Sequence, residues 1–161
     1  MKSPLQKIAL TTLGAVSFAY AMNCMAQEVP AGALVLTPND LKWSESPRAP
    51  GVQAATLVGD PRKPGPYIIR AKYPPNTINR PHHHPGDEEI TVLSGTLYFG
   101  RDLTMEPGKT MTLPAGSFYT FSPGKAHFGY TEEETIIQLS TVGPWALTYV
   151  NPKDDPRQKT Q

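Results

Sequence analysis

Three of the chain's four histidines are consecutive, in Arg80-Pro81-His82-His83-His84-Pro85-Gly86-Asp87-Glu88, and the fourth lies downstream in Ser122-Pro123-Gly124-Lys125-Ala126-His127. A neutral imidazole offers one lone pair, and a carboxylate adds a negative charge and a hard oxygen. Three nitrogens and one oxygen suit a divalent transition metal: Mn, Fe, Co, Ni or Zn. In an extended segment side chains alternate faces, so His82 and His84 project together while His83 points away. Pro85-Gly86-Asp87 reads as a tight turn, after which Glu88-Glu89-Ile90-Thr91-Val92-Leu93-Ser94-Gly95 resumes a strand rich in β-branched residues. Such a hairpin brings a carboxylate back to the histidine pair, and His127 closes the set from another strand.

The elements that must position these residues are short. Eighteen prolines oppose long helices. Between the Pro-rich punctuation lie β-type runs: Ala33–Thr37, Val52–Val58, Tyr67–Tyr73, Ile90–Ser94, Thr96–Gly100, Thr110–Leu113, Ser117–Ser122, Phe128–Thr131, Thr135–Thr141 and Ala146–Val150. Many short strands with turn signals at about ten-residue spacing mean a sandwich or barrel, and the expected architecture is an all-β, antiparallel jelly roll. Asn76-Thr77-Ile78-Asn79 reads as a loop ahead of the ligand strand, Glu132-Glu133-Glu134 as a solvated turn, and the polar tail 151–161 as a surface strap or a frayed end.

These residues resemble the cupin superfamily. Its first motif, His-x-His, three or four residues, Glu, six residues, Gly, is met by His82, His84, Glu88 and Gly95. Counting back from Gly95 selects Glu88, and Glu89 then faces away with His83. The second motif is met by Gly116, Gly124 and His127, with Ser122 at a usual proline position and Thr131 where the pattern often has asparagine. Pro64-Gly65-Pro66-Tyr67, the His-Pro-Gly-Asp-Glu turn, Thr91–Thr96 and Gly143-Pro144-Trp145 make the chain similar to small bacterial cupins like the ChrR cupin domain, over residues 34–152. The resemblance implies one divalent metal on His82, His84, Glu88 and His127, a small-molecule ligand or substrate, and a homodimer. No His/Cys-rich helical segment precedes residue 34, so anti-sigma activity is not carried over.

Residues 1–26 have the three parts of a secretory signal: Lys2 and Lys7, an apolar run from Ile8 to Met22, and small residues before Gln27-Glu28. Cleavage after Ala26 fits best, after Ala21 next, and either the periplasm or the exterior is the expected location. The preferred cleavage, after Ala26, removes Cys24, the sole cysteine, and disulfide and thiol chemistry with it; Asn23 is a poor neighbour for a lipidated cysteine. Residues 27–161 suit a single domain. The formal charge is +1, with basic residues scattered, which gives no footprint for nucleic acid or an anionic membrane.

No rival chemistry stands up. There is no GxSxG, no phosphate-cradling loop, and no histidine left for a triad. Gln138, Tyr119, Tyr130, Arg70 and Trp145 are candidates to orient the imidazoles. The expected function is a metal-dependent enzyme, dioxygenase-like by analogy with decarboxylase, isomerase and lyase chemistry as rivals, acting on a small polar or carbonyl-containing molecule. The competing expectation is a binding or sensing module with a structural metal.

Overall fold

The computed structural model describes residues 31–46 and 49–158, and the expected signal segment with Cys24 lies outside them. Every described strand belongs to one compact unit that begins at Leu36. In chain order these are β1 (Ser44–Glu45), β2 (Gln53–Val58), β3 (Gly65–Tyr73), β4 (Ile78–His83), β5 (Glu88–Ser94), β6 (Thr96–Gly100), β7 (Met111–Pro114), β8 (Phe118–Phe121), β9 (His127–Tyr130), β10 (Thr135–Gly143) and β11 (Thr148–Tyr149). They form two antiparallel sheets, ordered β1-β2-β3-β10-β5-β8 and β11-β4-β9-β6-β7. This is the double-sheet jelly roll that the strand spacing predicts. Among the described residues no helix is long and apolar enough to cross a membrane.

Period-two burial builds the interior. On β5, Glu88, Ile90 and Val92 are buried while Glu89 and Leu93 are exposed, and on β10, Thr135, Ile137 and Leu139 alternate in the same way. Together with Val52, Ala71 and Leu97 the aliphatic members form one core spanning both sheets. A buried aliphatic side chain contributes about 1.5–3 kcal/mol, so register is held firmly; a one-residue slip of β5 would expose Ile90 and Val92 and bury Glu89. The turn from β5 to β6 passes through Gly95 at φ +71, where a Cβ would meet the Glu134 carbonyl at 2.4 Å. Gly95 is thus held by backbone shape and by proximity.

Three expectations shift. Residues 33–37 join no sheet, and Thr37, itself extended, instead caps a 3₁₀ turn at Pro38–Asp40, donating to the Asp40 carboxylate. The loop expected at 76–79 ends earlier: Asn76, at φ 59, turns the chain, and Ile78 and Asn79 already pair with Tyr130 and Gly129. The last strand contracts from 146–150 to Thr148–Tyr149, ended by the Asn151-capped turn Pro152–Asp154. Of the two alternatives for the tail, residues 151–158 follow the strap: Arg157 forks onto the buried Asp155 carboxylate at 2.7 Å and donates to the Leu147 carbonyl at 3.1 Å. Glu132, Glu133 and Glu134 are exposed.

Candidate metal centre

β4 carries the first ligand candidate and β9 the last, and the ladder sets His82 directly opposite His127. A register shift between Asn79 and His82 leaves Arg80 and Pro81 out of the β9 ladder. Pro81 has no N–H to contribute there, so a bulge is where a strand tolerates it. His84 lies one residue beyond the end of β4. Gly124, at φ +69, donates its N–H to the His84 carbonyl at 2.8 Å, which fastens the loop preceding β9 to this segment. Glu88 opens β5 on the opposing sheet, and the β4–β5 turn returns it to the histidines.

His82, His84, Glu88 and His127 are all buried, at 2–5% exposure. The imidazole ring centres lie 4.8 Å (His82–His84), 4.4 Å (His82–His127) and 5.3 Å (His84–His127) apart. One ring nitrogen from each falls within 4.8 Å of the others, so the three histidines are positioned to hold a metal ion. Each Nδ1 faces a main-chain carbonyl: His82 that of Arg80 at 2.6 Å, His84 that of Ala146 at 2.8 Å, His127 that of Lys125 at 3.3 Å. A carbonyl can only accept, so Nδ1 carries the proton and Nε2 keeps its lone pair.

The Nε2 atoms of His84 and His127 lie 3.2 and 3.1 Å from Glu88 Oε1 and Oε2. Burial is the largest influence on His82 and on His84, and it drives both below the ordinary histidine range. For His82 the flanking His127 and His84 add to this; for His84 the Glu88 carboxylate opposes it without prevailing. With Nδ1 of His84 and His127 turned to main-chain carbonyls, it is the Nε2 side of each ring that faces carboxylate oxygens, which are acceptors too. Glu88 Oε2 has no hydrogen-bond partner among the described residues. Acceptors converging on one buried point are satisfied by a cation, so the donor set fits a transition metal.

Aromatic rings surround the histidines. Trp145 stacks on His84 at 4.6 Å, Phe121 meets His127 edge-on at 4.8 Å, and Phe99 lies 5.6 Å from the same ring. The four polar residues also line a cavity of about 560 Å³ between the sheets, whose walls include Ile69, Ile90, Leu97, Ile137 and Leu139. It reaches exposed residues at Lys42, Ser44 and Glu45.

The structure brings together the four residues singled out in the sequence. His83 sits in β4 only half-buried, and Glu89 is exposed, so both leave the cluster. Of the residues expected to orient the imidazoles, Trp145 touches one by stacking. Tyr119 packs on Phe99, Tyr130 stacks on Tyr98, and Arg70 hydrogen-bonds Gln138 at 3.2 Å. The orienting groups are instead the carbonyls of Arg80, Ala146 and Lys125. Side-chain identity does not mark a carbonyl; only the two-residue offset of Arg80 from His82 and of Lys125 from His127 is visible in the sequence.

The sequence profile of the ChrR cupin-like domain matches residues 31–146. The chain belongs to this cupin family. Germin-like protein 8-10 of Oryza sativa subsp. japonica is 38% identical to this cupin over 93 residues, covering 52% of this chain and 41% of the plant protein. The cupin thus spans about two fifths of the length of such curated relatives. Among solved structures, the polyketide cyclase RemF from Streptomyces resistomycificus superposes with a TM-score of 0.64 at 20% identity, over 80% of this chain and 93% of RemF. A candidate acetylacetone dioxygenase from Methylibium petroleiphilum gives 0.59 at 18% identity, over 81% and 89%. At these identities the two structures share the cupin's fold.

Proposed function

We propose that this cupin is an exported, metal-dependent enzyme that transforms a small carbonyl-containing molecule, with dioxygenase-like chemistry first among the reaction classes. One observation carries the reading: buried acceptors of His84, His127 and Glu88 converge on a single point that opens to a largely apolar cavity. His82, His84, Glu88 and His127 would hold the ion, which supplies Lewis acidity and, if redox-active, a site for electron transfer. The main-chain carbonyls fix each Nε2 inward, Glu88 contributes the anionic donor, and the rings of Trp145, Phe121 and Phe99 surround the histidines. The cavity wall receives the apolar part of the substrate. Export is supported by the signal pattern of residues 1–26, and mass spectrometry of the secreted protein should find Gln27 at the N-terminus. A homodimer is part of the same proposal and is checked by sedimentation.

The deciding experiment is the absorption spectrum of the cobalt-substituted protein with and without azide or oxalate. Four protein donors on a six-coordinate ion leave exchangeable positions, so an enzyme should respond to these anions. A closed tetrahedral spectrum that ignores them would replace the enzyme with a binding module built on a structural metal.

A further inference from the structure

The cavity contains two phenols that the site above does not use. Tyr119 on β8 is registered to Ile90, and Tyr73 at the end of β3 to Thr135; both partners are buried, so both tyrosines face inward. Along β5 the step from Glu88 to Ile90 is about 7 Å, two residues of strand rise, which places Tyr119 one inward position beyond the carboxylate. Tyr73 lies further along the same lumen, at the opposite end of β10 from the β4–β5 turn. Both line the cavity together with the histidine cluster, and the Glu88 carboxylate acts on both hydroxyls, raising their proton affinity beyond what burial alone gives.

Both residues line the cavity, and neither belongs to the histidine–carboxylate cluster. The ring of Tyr119 packs on Phe99 at 4.5 Å, and both rings lie against the aliphatic core. Phenylalanine would fill those places equally well. A hydroxyl in an apolar wall is satisfied only by what enters the cavity, whether water or an oxygen of a bound molecule.

We propose that Tyr119 and Tyr73 form a second, hydrogen-donating pole of the cavity, selecting substrates whose apolar body separates a metal-seeking oxygen group from a distal acceptor oxygen. The inference rests on the metal-site reading given above and adds a substrate class to it. The metal pole takes a chelating head, the aliphatic walls take the body, and the phenols, as neutral donors, take a carbonyl or oxyanion, Tyr119 about one strand step from Glu88 and Tyr73 further along the lumen. A molecule lacking the distal oxygen leaves both donors facing apolar surface, so a site built this way discriminates more strongly against a missing acceptor than against a missing methylene.

The test uses the zinc-loaded full chain and two probes of the same shape, 4-acetylbenzohydroxamate and 4-isopropylbenzohydroxamate, which share a chelating head and differ in the distal carbonyl. Calorimetry should show the acetyl probe binding about tenfold more tightly to the native protein. Tyr119→Phe, alone or with Tyr73→Phe, should abolish or reverse that preference while metal content and isopropyl affinity hold. Equal affinities in the native protein, or a preference that survives both substitutions, overturns the phenol pole and leaves the metal reading intact. Loss of zinc in the phenylalanine variants makes the tyrosines structural and also overturns it. If neither probe binds zinc-loaded native protein, the accessible metal site itself fails, and the phenol pole falls with it.

Discussion

Replacing Glu88 with glutamine should move stability and metal affinity in opposite directions. In the metal-free protein at pH 8 the carboxylate oxygens stand 3.2 and 3.1 Å from two imidazole nitrogens that hold lone pairs, and Oε2 has no hydrogen-bond partner. An amide of the same shape supplies an N–H to one of those nitrogens and removes a buried charge. Satisfying a buried acceptor is worth about 1–3 kcal/mol. A domain of this size gains roughly 4 °C in Tm per kcal/mol, so dialysed Glu88→Gln should melt about 4–12 °C above dialysed native protein. The same change removes the anionic donor, and zinc affinity should fall by roughly 100-fold or more. Calorimetric melting with and without zinc reads both effects. A lower melting temperature for the dialysed variant, or unchanged zinc affinity, would refute the convergence of acceptors on which the site depends.

The strand register gives a second outcome: His84→Ala should lose metal on dialysis, while His83→Ala, whose half-buried ring leaves the cluster, should keep it, as read by elemental analysis. The pH dependence of the metal-free protein follows from His82, whose folded-state pKa is pushed well below 6.5 by burial first and by His127 and His84 second. A base with a depressed pKa binds fewer protons folded than unfolded, so its contribution is fully present above about pH 6.5 and is lost as pH falls from there toward the folded value. Urea midpoints should therefore be flat from pH 7 to 8 and decline below 6.5, and His82→Gln should flatten the decline. Gly95→Ala forces a side chain into φ +71 and onto the Glu134 carbonyl, and should cost more than about 2 kcal/mol in a urea titration.

The parts of this molecule legible from sequence are those that local chemistry specifies. Alternation along β4 and the tight turn after it locate His82, His84 and Glu88, because strand geometry leaves few other ways to face one point. Strands with continuous β-branched patterning, such as β5 and β10, sit where the pattern puts them. Residues 33–37 carry the same apolar signal, but a strand also needs a partner ladder, and the pattern does not reveal whether one exists. The two-residue strand β1 escapes notice for the opposite reason: Ser44 and Glu45 carry no apolar pattern, yet they pair with Ala54 and Gln53, and Ser44 Oγ donates to the Ala54 carbonyl at 3.5 Å. The inward aim of Tyr73 and Tyr119 depends on registers with Thr135 and Ile90, fixed only when distant strands meet.

The three carbonyls that orient the imidazoles have a consequence for how this site can evolve. A side-chain partner is one codon away from loss, whereas the carbonyls of Arg80, Lys125 and Ala146 survive any substitution that preserves the path of the chain. Side-chain identity at 80, 125 and 146 is therefore free to drift without disturbing which nitrogen faces inward. Variation that retunes the chemistry has to fall elsewhere, on the aromatic collar of Trp145, Phe121 and Phe99 and on the cavity wall.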